Sequence, residues 1–286
     1  YRGANFNPML KAWDNSGKVT SLNIENLPRG VVTTGFNQQT GKTESNKYSN
    51  RQFSGNVASD QTLGVHTAKI RASDGSNTAT YYMKYRVVDV VKKNLPNNNE
   101  VLTNVNTQLG DAHNYLATTN NGTVQDDTFF PPGMTFEWTG NNGAAINANE
   151  TLSNPGTYTR IAKAVFPTET KNQNSETRTT FAVDKQQTVV FKVKPSAPSG
   201  DVNSQNGNIT VTPKASETTT NRVSVTYTPT GQTAPRTIEA QKNNGRWTIP
   251  GAPTGVTIDP NTGVITLPDS VVKDGTDVTS RATADG

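Results

Sequence analysis

Cysteine is absent from the 286 residues of the chain, and histidine is limited to two residues, His66 and His113. Most secreted animal domains of this size carry disulfides, so the lack of cysteine favours either a cytosolic protein or a bacterial surface protein that folds without them. Charged residues are also scarce, at 17%. No run of about 18 apolar residues is present, so the sequence contains no conventional transmembrane helix.

These absences argue against the familiar kinds of catalytic site. A cysteine nucleophile is excluded, and the Gly-x-Ser-x-Gly turn of serine hydrolases does not occur. His66 and His113 fall in different predicted domains, and an isolated histidine is more often structural than a base or metal ligand. Residues 35–43 resemble a phosphate-binding loop, but five residues separate the glycines where that motif has four. We predict a hairpin turn there, no enzymatic activity and no cofactor.

The abundant residues indicate a β-rich surface protein. Hydrophobic residues make up 31% of the chain, and the mean hydropathy is −0.67, so several thin modules fit better than one thick globule. The polar surplus consists of Asn, Thr, Ser and Gln, which suits all-β modules with many turns and favours a bacterial surface location. A chain of this length typically forms two or three domains of ~100 to 200 residues.

Three short patterns occur in both the first and the last third of the chain, in the same order and at similar spacing. The matching pairs are 27–31 with 252–256, 37–41 with 259–263, and 63–72 with 274–282. The Asp-Pro-Asn-Thr-Gly stretch at 259–263 carries a hairpin signal, because proline fixes φ and glycine permits a positive φ. The middle third holds a looser copy at 131–135 and 155–164.

We predict an all-β chain of tandem immunoglobulin-like β-sandwich domains arranged as an extended rod. The domains span 1–92, 93–195 and 196–286, and the middle one is a divergent sandwich, either immunoglobulin-like or Rib-like. Short polar joints at 92–99 and 194–200 connect them.

Alternating strands at 80–91 and 188–193 close the first two domains, and the third domain has no counterpart. We expect its sheet to have a vacant edge, unless an N-terminal segment or a neighbouring molecule fills it. Tyr1 is not a natural start and the sequence stops within a turn, so we also expect the chain to be a piece of a longer protein.

Strand signals dominate the rest of the sequence. Residues 99–109 give the best helical pattern, but they fit a strand equally well. All three tryptophans, Trp13, Trp138 and Trp247, are expected in cores or on sheet faces rather than stacked on a ligand.

Carboxylates are scattered along the chain. The adjacent pair Asp126-Asp127 and the group Asp269, Asp274 and Asp277 lack the spacing of known calcium loops. We interpret them as solvated turn residues, with a structural calcium ion between modules as the alternative.

Positive charge is concentrated in the first 92 residues, which hold 12 Lys/Arg against 6 Asp/Glu. On two consecutive predicted strands, Lys69 and Arg71 share one face, and Lys84 and Arg86 share one face. A tight turn at 76–77 would place Lys69 opposite Lys84, and such a costly like-charge pair can mark a site for an anionic partner. A different strand register, without a like-charge pair, explains these residues equally well. The simplest interpretation is a solvated basic surface.

The turn motifs carry a resemblance to a known family. With Leu-Pro-Arg-Gly-Val at 27–31 and Ala-Ser-Asp-Gly at 72–75, the first unit resembles the immunoglobulin-like repeats of bacterial surface proteins. The third unit, with 253–259 and 271–276, is similar to the version found in staphylococcal cell-wall proteins. The whole chain is most like the non-helical part of the giant staphylococcal extracellular matrix-binding adhesins, with the match carried by the first and third units. The resemblance implies a surface-displayed virulence protein that attaches to host matrix such as fibronectin. It carries over no binding residue, because the shared positions are structural.

Two functions follow as hypotheses. The first is an adhesin segment, displayed on the bacterial cell surface, whose residues Lys69, Arg71, Lys84 and Arg86 bind a matrix protein, an anionic glycan or teichoic acid. The second is a passive stalk that projects a separate binding region from the cell wall. An accessory module of a polysaccharide enzyme is a third class. We predict a monomer with no nucleic-acid partner and no membrane insertion in this segment.

Overall fold

The computed structural model describes residues 1–6, 9–119, 121, 125–126, 129–130, 133–166, 169–173, 176–180 and 184–284, with the backbone alone described at 125–126, 169–173 and 176–180. Strands hold 49% of the residues and helices 5%. Globular proteins average roughly 20–25% strand, so the prediction of an all-β chain is confirmed. No helix in the described part of the chain is long and apolar enough to cross a membrane.

Short helical turns lie between some of the strands: α1 (Pro96–Asn99) lies between the seventh and the eighth strand, and 3-10 turns lie at Ala112–Tyr115 and Asp269–Val271. The strands follow one another in chain order. They are β1 (Met9–Ala12), β2 (Ser21–Glu25), β3 (Val31–Asn37), β4 (Ser49–Gly55), β5 (Gly64–Ser73), β6 (Thr78–Val87), β7 (Asp89–Lys92), α1 (Pro96–Asn99), β8 (Glu100–Asn104), β9 (Thr107–Gln108), β10 (Leu116–Thr119), β11 (Gln125–Asp126), β12 (Thr135–Thr139), β13 (Ala145–Ile146), β14 (Thr151–Leu152), β15 (Gly156–Val165), β16 (Glu169–Gln173), β17 (Glu176–Thr180), β18 (Lys185–Lys194), β19 (Ser199–Val202), β20 (Ile209–Thr212), β21 (Arg222–Tyr227), β22 (Arg236–Asn243), β23 (Arg246–Thr248), β24 (Thr257–Ile258), β25 (Ile265–Leu267) and β26 (Thr279–Thr283).

The chain forms two compact units. Unit 1 comprises Tyr1–Lys93, Asp111–Ile146 and Ile161–Thr188, and unit 2 comprises Asn94–Gly110, Asn147–Arg160 and Val189–Gly286. The division falls inside β15 and inside β18, so the predicted middle domain contributes residues to both units. The first and last predicted domains each lie in one unit, and the three-domain division stays a prediction.

Unit 2 contains two antiparallel four-stranded sheets, β19-β20-β25-β24 and β23-β22-β21-β26. Their alternating strands direct one set of side chains inwards, so that Val211 and Ile265 of the first sheet join Val223, Tyr227 and Trp247 of the second in one core. Each large aliphatic side chain buried in this way contributes about 1.5–3 kcal/mol. The arrangement is consistent with a β-sandwich.

Further pairings complete unit 2. The second half of β18 pairs with β8 in parallel, and β9 pairs with β14. Residues 99–109 fitted a helix or a strand from the sequence; within them Glu100–Asn104 and Thr107–Gln108 form strands joined by a turn, and residue 99 ends α1.

Unit 1 also packs two antiparallel sheets against each other, the three-stranded sheets β1-β4-β3 and β2-β5-β6. Val31 and Phe53 of the first sheet pack with Val87 of the second, and Leu10 and Ile24 cover the rim of this core. Beyond the sandwich, β7 pairs with β10, β10 with β11, β12 with β13 and with the second half of β15, and β16 with β17.

The first pair of matching motifs forms the same turn in both units. The Val31 amide donates to the Pro28 carbonyl at 3.0 Å, and the Val256 amide donates to the Pro253 carbonyl at 3.1 Å. Both valines are buried, and the intervening glycines have φ of +82° and +89°. Proline sets the entry to the turn and glycine permits its left-handed exit, so these short motifs specify the structure locally.

The second pair of motifs differs. Residues 259–263 form the predicted hairpin turn, in which the Gly263 amide donates to the Asp259 carbonyl at 2.8 Å. Residues 37–41 begin a longer connection between β3 and β4. Its Gln39 side chain is buried and donates through Nε2 to the carbonyls of Asp14 and Gly41, each at 2.9 Å. The hairpin predicted at 35–43 therefore has a long loop rather than a tight turn.

Two of the three tryptophans lie where they were predicted. Trp138 and Trp247 are buried, with exposed fractions of 1% and 4%, but Trp13 is 57% exposed. The core prediction is wrong for Trp13, because this residue follows the end of β1 and lies in a loop rather than on the inward face of a strand.

Gly263 offers a test of the unit 2 hairpin. A Cβ added there would lie 2.7 Å from Cε2 and Nε1 of the buried Trp247, whereas one added at Gly231 would meet no atom within 4 Å. Both glycines have φ of +77°, so the two alanine variants share the same backbone strain. We expect Gly263→Ala to lower the free energy of unfolding by about 1–3 kcal/mol more than Gly231→Ala, because Trp247 must move. Urea denaturation measures both, and equal losses would contradict the packing described here.

Candidate functional site

The candidate site is the outward face of the β2-β5-β6 sheet in unit 1. Lys69 and Arg71 alternate with the buried Ala68 and Ile70 along β5, as predicted. On β6, Lys84 and Arg86 alternate with less exposed neighbours, so they also point outwards. Because directly opposed residues of paired strands share a face, the register determines whether the two basic pairs lie on the same side.

The register places all four cations on one face, but not in the pairs that the sequence predicted. Lys69 lies opposite Tyr82, and Lys84 lies opposite Thr67. The two lysines are therefore diagonal neighbours. The predicted like-charge pair between Lys69 and Lys84 is wrong, and the alternative of a different register without that pair is confirmed. The inference that a costly charge pair marks a binding site falls with it, whereas the shared basic face remains.

The loop between β5 and β6 explains this difference. The Asp74 carboxylate accepts the amides of Ser76 at 2.7 Å and of Asn77 at 2.6 Å, and the Asp74 amide donates to the Asn77 carbonyl at 3.3 Å. The loop is thus centred between Gly75 and Ser76, one residue earlier than predicted. A shift of the turn by one residue changes each cross-strand partner by two positions.

Two of the cations have specific partners. Arg71 forms an ion pair with Glu25 of β2, with 3.6 Å between Nη1 and Oε1. The Arg86 guanidinium carbon lies 4.6 Å from the centre of the Phe129 ring, a cation–π geometry. Four cations and one carboxylate give this set of side chains a net charge of +3.

The face also carries residues that the sequence reasoning missed. Tyr82 is 60% exposed and lies opposite Lys69, and Val65 is 57% exposed and lies opposite Arg86. Strand alternation along β6 could have identified Tyr82 from the sequence, because it is separated from Lys84 and Arg86 by even numbers of residues. Glu25 could be identified only once the register between β2 and β5 was known. Phe129 could be identified only from a contact between residues that are distant in sequence.

This arrangement can attract anions, and it presents the exposed aromatic side chain of Tyr82 at the position opposite Lys69. The histidines have other surroundings. His66 stacks on Tyr85 with ring centroids 5.3 Å apart, and its Nε2 donates to the Thr62 carbonyl at 2.7 Å. His113 packs against Phe136 at 4.5 Å between ring centroids.

The predicted carboxylate groups do not gather into a metal site in the described part of the chain, where no three His, Cys, Asp or Glu side chains are placed to hold an ion. Asp127 lies outside the described residues, and only the backbone of Asp126 is described. The motif at 131–135 lies partly outside them as well.

A scan against protein-family models gives no match, and a search of curated proteins finds none either. Among solved structures, the chain is similar to an endo-fucoidan hydrolase of glycoside hydrolase family 107, with 12% identity, a TM-score of 0.26, and 99% of this chain and 41% of that chain covered. It is also similar to a protein from Corynebacterium diphtheriae described as membrane anchored, with 11% identity, a TM-score of 0.20, and 99% and 80% covered. The chain thus spans less than half of the hydrolase. Likenesses this weak assign neither a family nor an activity.

Asp74 provides a pH-dependent test of the loop that sets the register. Hydrogen bonds from the amides of Asn77 and Ser76 lower the pKa of its carboxyl below the ordinary value of an aspartate side chain. Because the folded pKa is the lower one, the stabilisation is fully present above the unfolded pKa and is lost as the pH falls through the folded pKa. We expect the difference in unfolding free energy between the wild type and Asp74→Ala to be constant near neutral pH and to shrink in acid.

Asp74→Asn is the matched control for this experiment. It keeps an acceptor oxygen without the charge, so its difference from Asp74→Ala should be independent of pH. A difference between wild type and Asp74→Ala that stays unchanged down to about pH 2 would contradict the role of the ionised carboxylate.

Proposed function

We propose that the chain is a segment of a non-enzymatic bacterial surface adhesin, whose immunoglobulin-like β-sandwiches form an extended rod and whose basic face binds an anionic polymer. The polymer class is a sulfated glycan or teichoic acid, or an anionic stretch of a matrix protein such as fibronectin. The observation that carries the proposal is the convergence of Lys69, Arg71, Lys84 and Arg86 on one exposed sheet face.

The spacing of the cations supports a polymer rather than a single small anion. Alternate residues on one strand lie about 7 Å apart, and adjacent strands lie about 4.8 Å apart. Four cations on β5 and β6 therefore cover a patch wide enough for several charged groups along an extended chain. The exposed ring of Tyr82 adds an apolar surface on which a sugar can stack.

The ion pair between Arg71 and Glu25 does not prevent this binding. Both side chains are about half exposed, at 47% and 50%, and exposed ion pairs contribute only about 0–1 kcal/mol. A polyanion that contacts several cations together can therefore replace Glu25 as the partner of Arg71.

The repeated turns support the architectural part of the proposal. The same Pro-x-Gly-Val turn introduces a buried valine in each unit, and each unit packs two antiparallel sheets. Such repetition is typical of surface proteins built from copies of one module. The motif at 27–31 resembles repeats of bacterial surface proteins, and the motif at 253–259 resembles the staphylococcal version of those repeats. Both resemblances point to the same location.

A passive stalk is the second candidate, and one feature of unit 2 favours it. The carboxylate of the buried Glu217 accepts the amide of Ser196, at 2.9 and 3.2 Å, within the predicted joint at 194–200. Nearby, Thr219 Oγ1 donates to the Pro155 carbonyl at 2.6 Å. The bonds to Ser196 fix the joint to the module that follows it, and the bond to Pro155 links that module to the end of the predicted middle domain. A stiff connection of this kind is what a spacer requires.

Charge reversal of the basic face separates the two candidates. We expect the chain to bind immobilised dextran sulfate or fibronectin in a saturable, salt-sensitive manner. The double variant Lys69→Glu and Lys84→Glu should bind at least about tenfold more weakly, because two favourable charge interactions become repulsive. Surface plasmon resonance at two salt concentrations measures the effect.

The matched control is the double variant Arg236→Glu and Arg246→Glu, which makes the same change in net charge at exposed positions of unit 2. Equal weakening by both double variants would show a nonspecific charge effect and contradict a site on β5 and β6. If the wild type binds neither probe, the adhesin proposal fails and the stalk remains.

A further inference from the structure

A pocket with a volume of about 370 Å³ lies in unit 2, beside the hairpin turn at 259–263. Its walls come from the end of β20 and the loop that follows it, from Lys242 on β22 and Trp247 on β23, and from the turn itself. Ligand pockets in proteins span roughly 300–1,000 Å³. The space therefore suits one small molecule.

Main-chain hydrogen bonds hold the walls of the pocket together. The Lys242 amide donates to the Asn221 carbonyl at 2.8 Å, which joins β22 to the loop after β20. The Trp247 amide donates to the Pro260 carbonyl, also at 2.8 Å, which joins β23 to the hairpin turn. The pocket is thus preformed, and a ligand that enters it has little protein to order.

Glu217 is the carboxylate among the lining residues, and it is only 4% exposed. Its oxygens share the amide of Ser196, at 2.9 and 3.2 Å, and Oε2 also accepts the hydroxyl of Thr220 at 3.4 Å. An ionised carboxylate offers about four acceptor positions, and a buried charge is costly unless it is well hydrogen-bonded. Among the described residues Glu217 forms no ion pair, so it retains acceptor capacity for a hydroxyl group in the pocket.

Two lysines add positive charge to the pocket. Lys214 is exposed, and Nζ of Lys242 lies 5.8 Å from the centre of the Trp247 ring. Within the part of the chain that the structure describes, neither lysine has an acidic partner, so both ammonium groups can receive an anion. Two lysines and one glutamate give the lining residues a net charge of +1.

The other lining residues combine polar and apolar groups. Asn261 and Thr262 supply an amide and a hydroxyl, whereas Pro213 and Val264 are apolar. A sugar ring matches such walls, because its hydroxyl groups can hydrogen-bond while its C–H groups contact the apolar residues.

The charges narrow the type of sugar. A neutral sugar leaves both lysines without a counter-charge, and a simple carboxylate supplies no hydroxyl donor for Glu217. A sugar that carries a carboxylate provides both groups and complements the pocket.

We propose that this pocket binds one acidic sugar residue, a hexuronate, with its carboxylate towards Lys214 and Lys242 and a hydroxyl group donated to Glu217. The site lies in unit 2 and uses none of the residues of the basic face. It therefore goes beyond the polymer binding proposed for β5 and β6.

Three small probes test the proposal on the chain. D-glucuronate carries both the hydroxyl groups and the carboxylate, D-glucose carries only the hydroxyl groups, and acetate carries only the carboxylate. Titrations followed by ¹H–¹⁵N NMR at the amides of Asn261 and Thr262 and at the indole N–H of Trp247 measure the binding. We expect saturable shifts with D-glucuronate and at least about tenfold weaker binding of the other two. Equal binding of D-glucose or of acetate would overturn the proposal.

A charge-reversal pair supplies the matched control. Lys214→Glu should weaken D-glucuronate binding at least about tenfold, because attraction becomes repulsion. Lys273→Glu makes the same change in net charge at an exposed position of unit 2 that does not line the pocket, so it should bind as the wild type does. Equal weakening by the two variants would contradict the site.

The basic face is tested separately. The double variant Lys69→Glu and Lys84→Glu should bind D-glucuronate as tightly as the wild type, even where it loses dextran sulfate or fibronectin. The failure of one proposal is therefore distinguishable from the failure of the other. Absence of saturable shifts in the wild type, or their loss in this double variant, would overturn the assignment of the pocket.

Discussion

The two sandwiches depend on the burial of one face of each of their antiparallel sheets against the partner sheet. Val211 and Ile265 on one side of unit 2 meet Val223 and Tyr227 on the other, and this single apolar layer supplies the core. Only 31% of the residues are hydrophobic, which is enough for thin sandwiches whose outer faces remain polar. The outward side chains are therefore free to vary, and the candidate basic face lies on strands whose inward residues, such as Ala68 and Ile70, are fixed by packing.

Local features were the part of the fold that the sequence predicted well. The turns at Pro28 and Pro253 follow from the φ restriction of proline and the permissiveness of glycine, which act within four residues. The inward positions of Ala68 and Ile70 follow from alternation. By contrast, the pairing of β7 with β10 and the division of the middle third between two units join residues that are distant in sequence. No local pattern encodes such contacts.

The four basic residues of the candidate site were predicted from the sequence, but the pairing register between β5 and β6 was not. The error came from the Asp74 carboxylate, whose hydrogen bonds to Ser76 and Asn77 centre the loop one residue earlier than composition indicates. The same side-chain chemistry recurs at Asp259, which accepts the amides of Asn261 and Thr262 at 2.7 and 3.1 Å. Aspartate at the start of these loops sets the register and hence decides which outward side chains become neighbours.

β5 of unit 1 and β26 of unit 2 match in sequence and in register, but they differ in the strands that pair with them. The basic face exists because β6 lies beside β5, whereas among the described residues β26 pairs with β21 on one side and borders a groove on the other. Residue-resolved amide hydrogen exchange tests this difference most directly. We expect uniformly slow exchange at residues 69–72 of β5, which are paired on both sides, and alternating slow and fast exchange along β26. Uniform protection along β26 would contradict the account, because it would show that the edge is already paired.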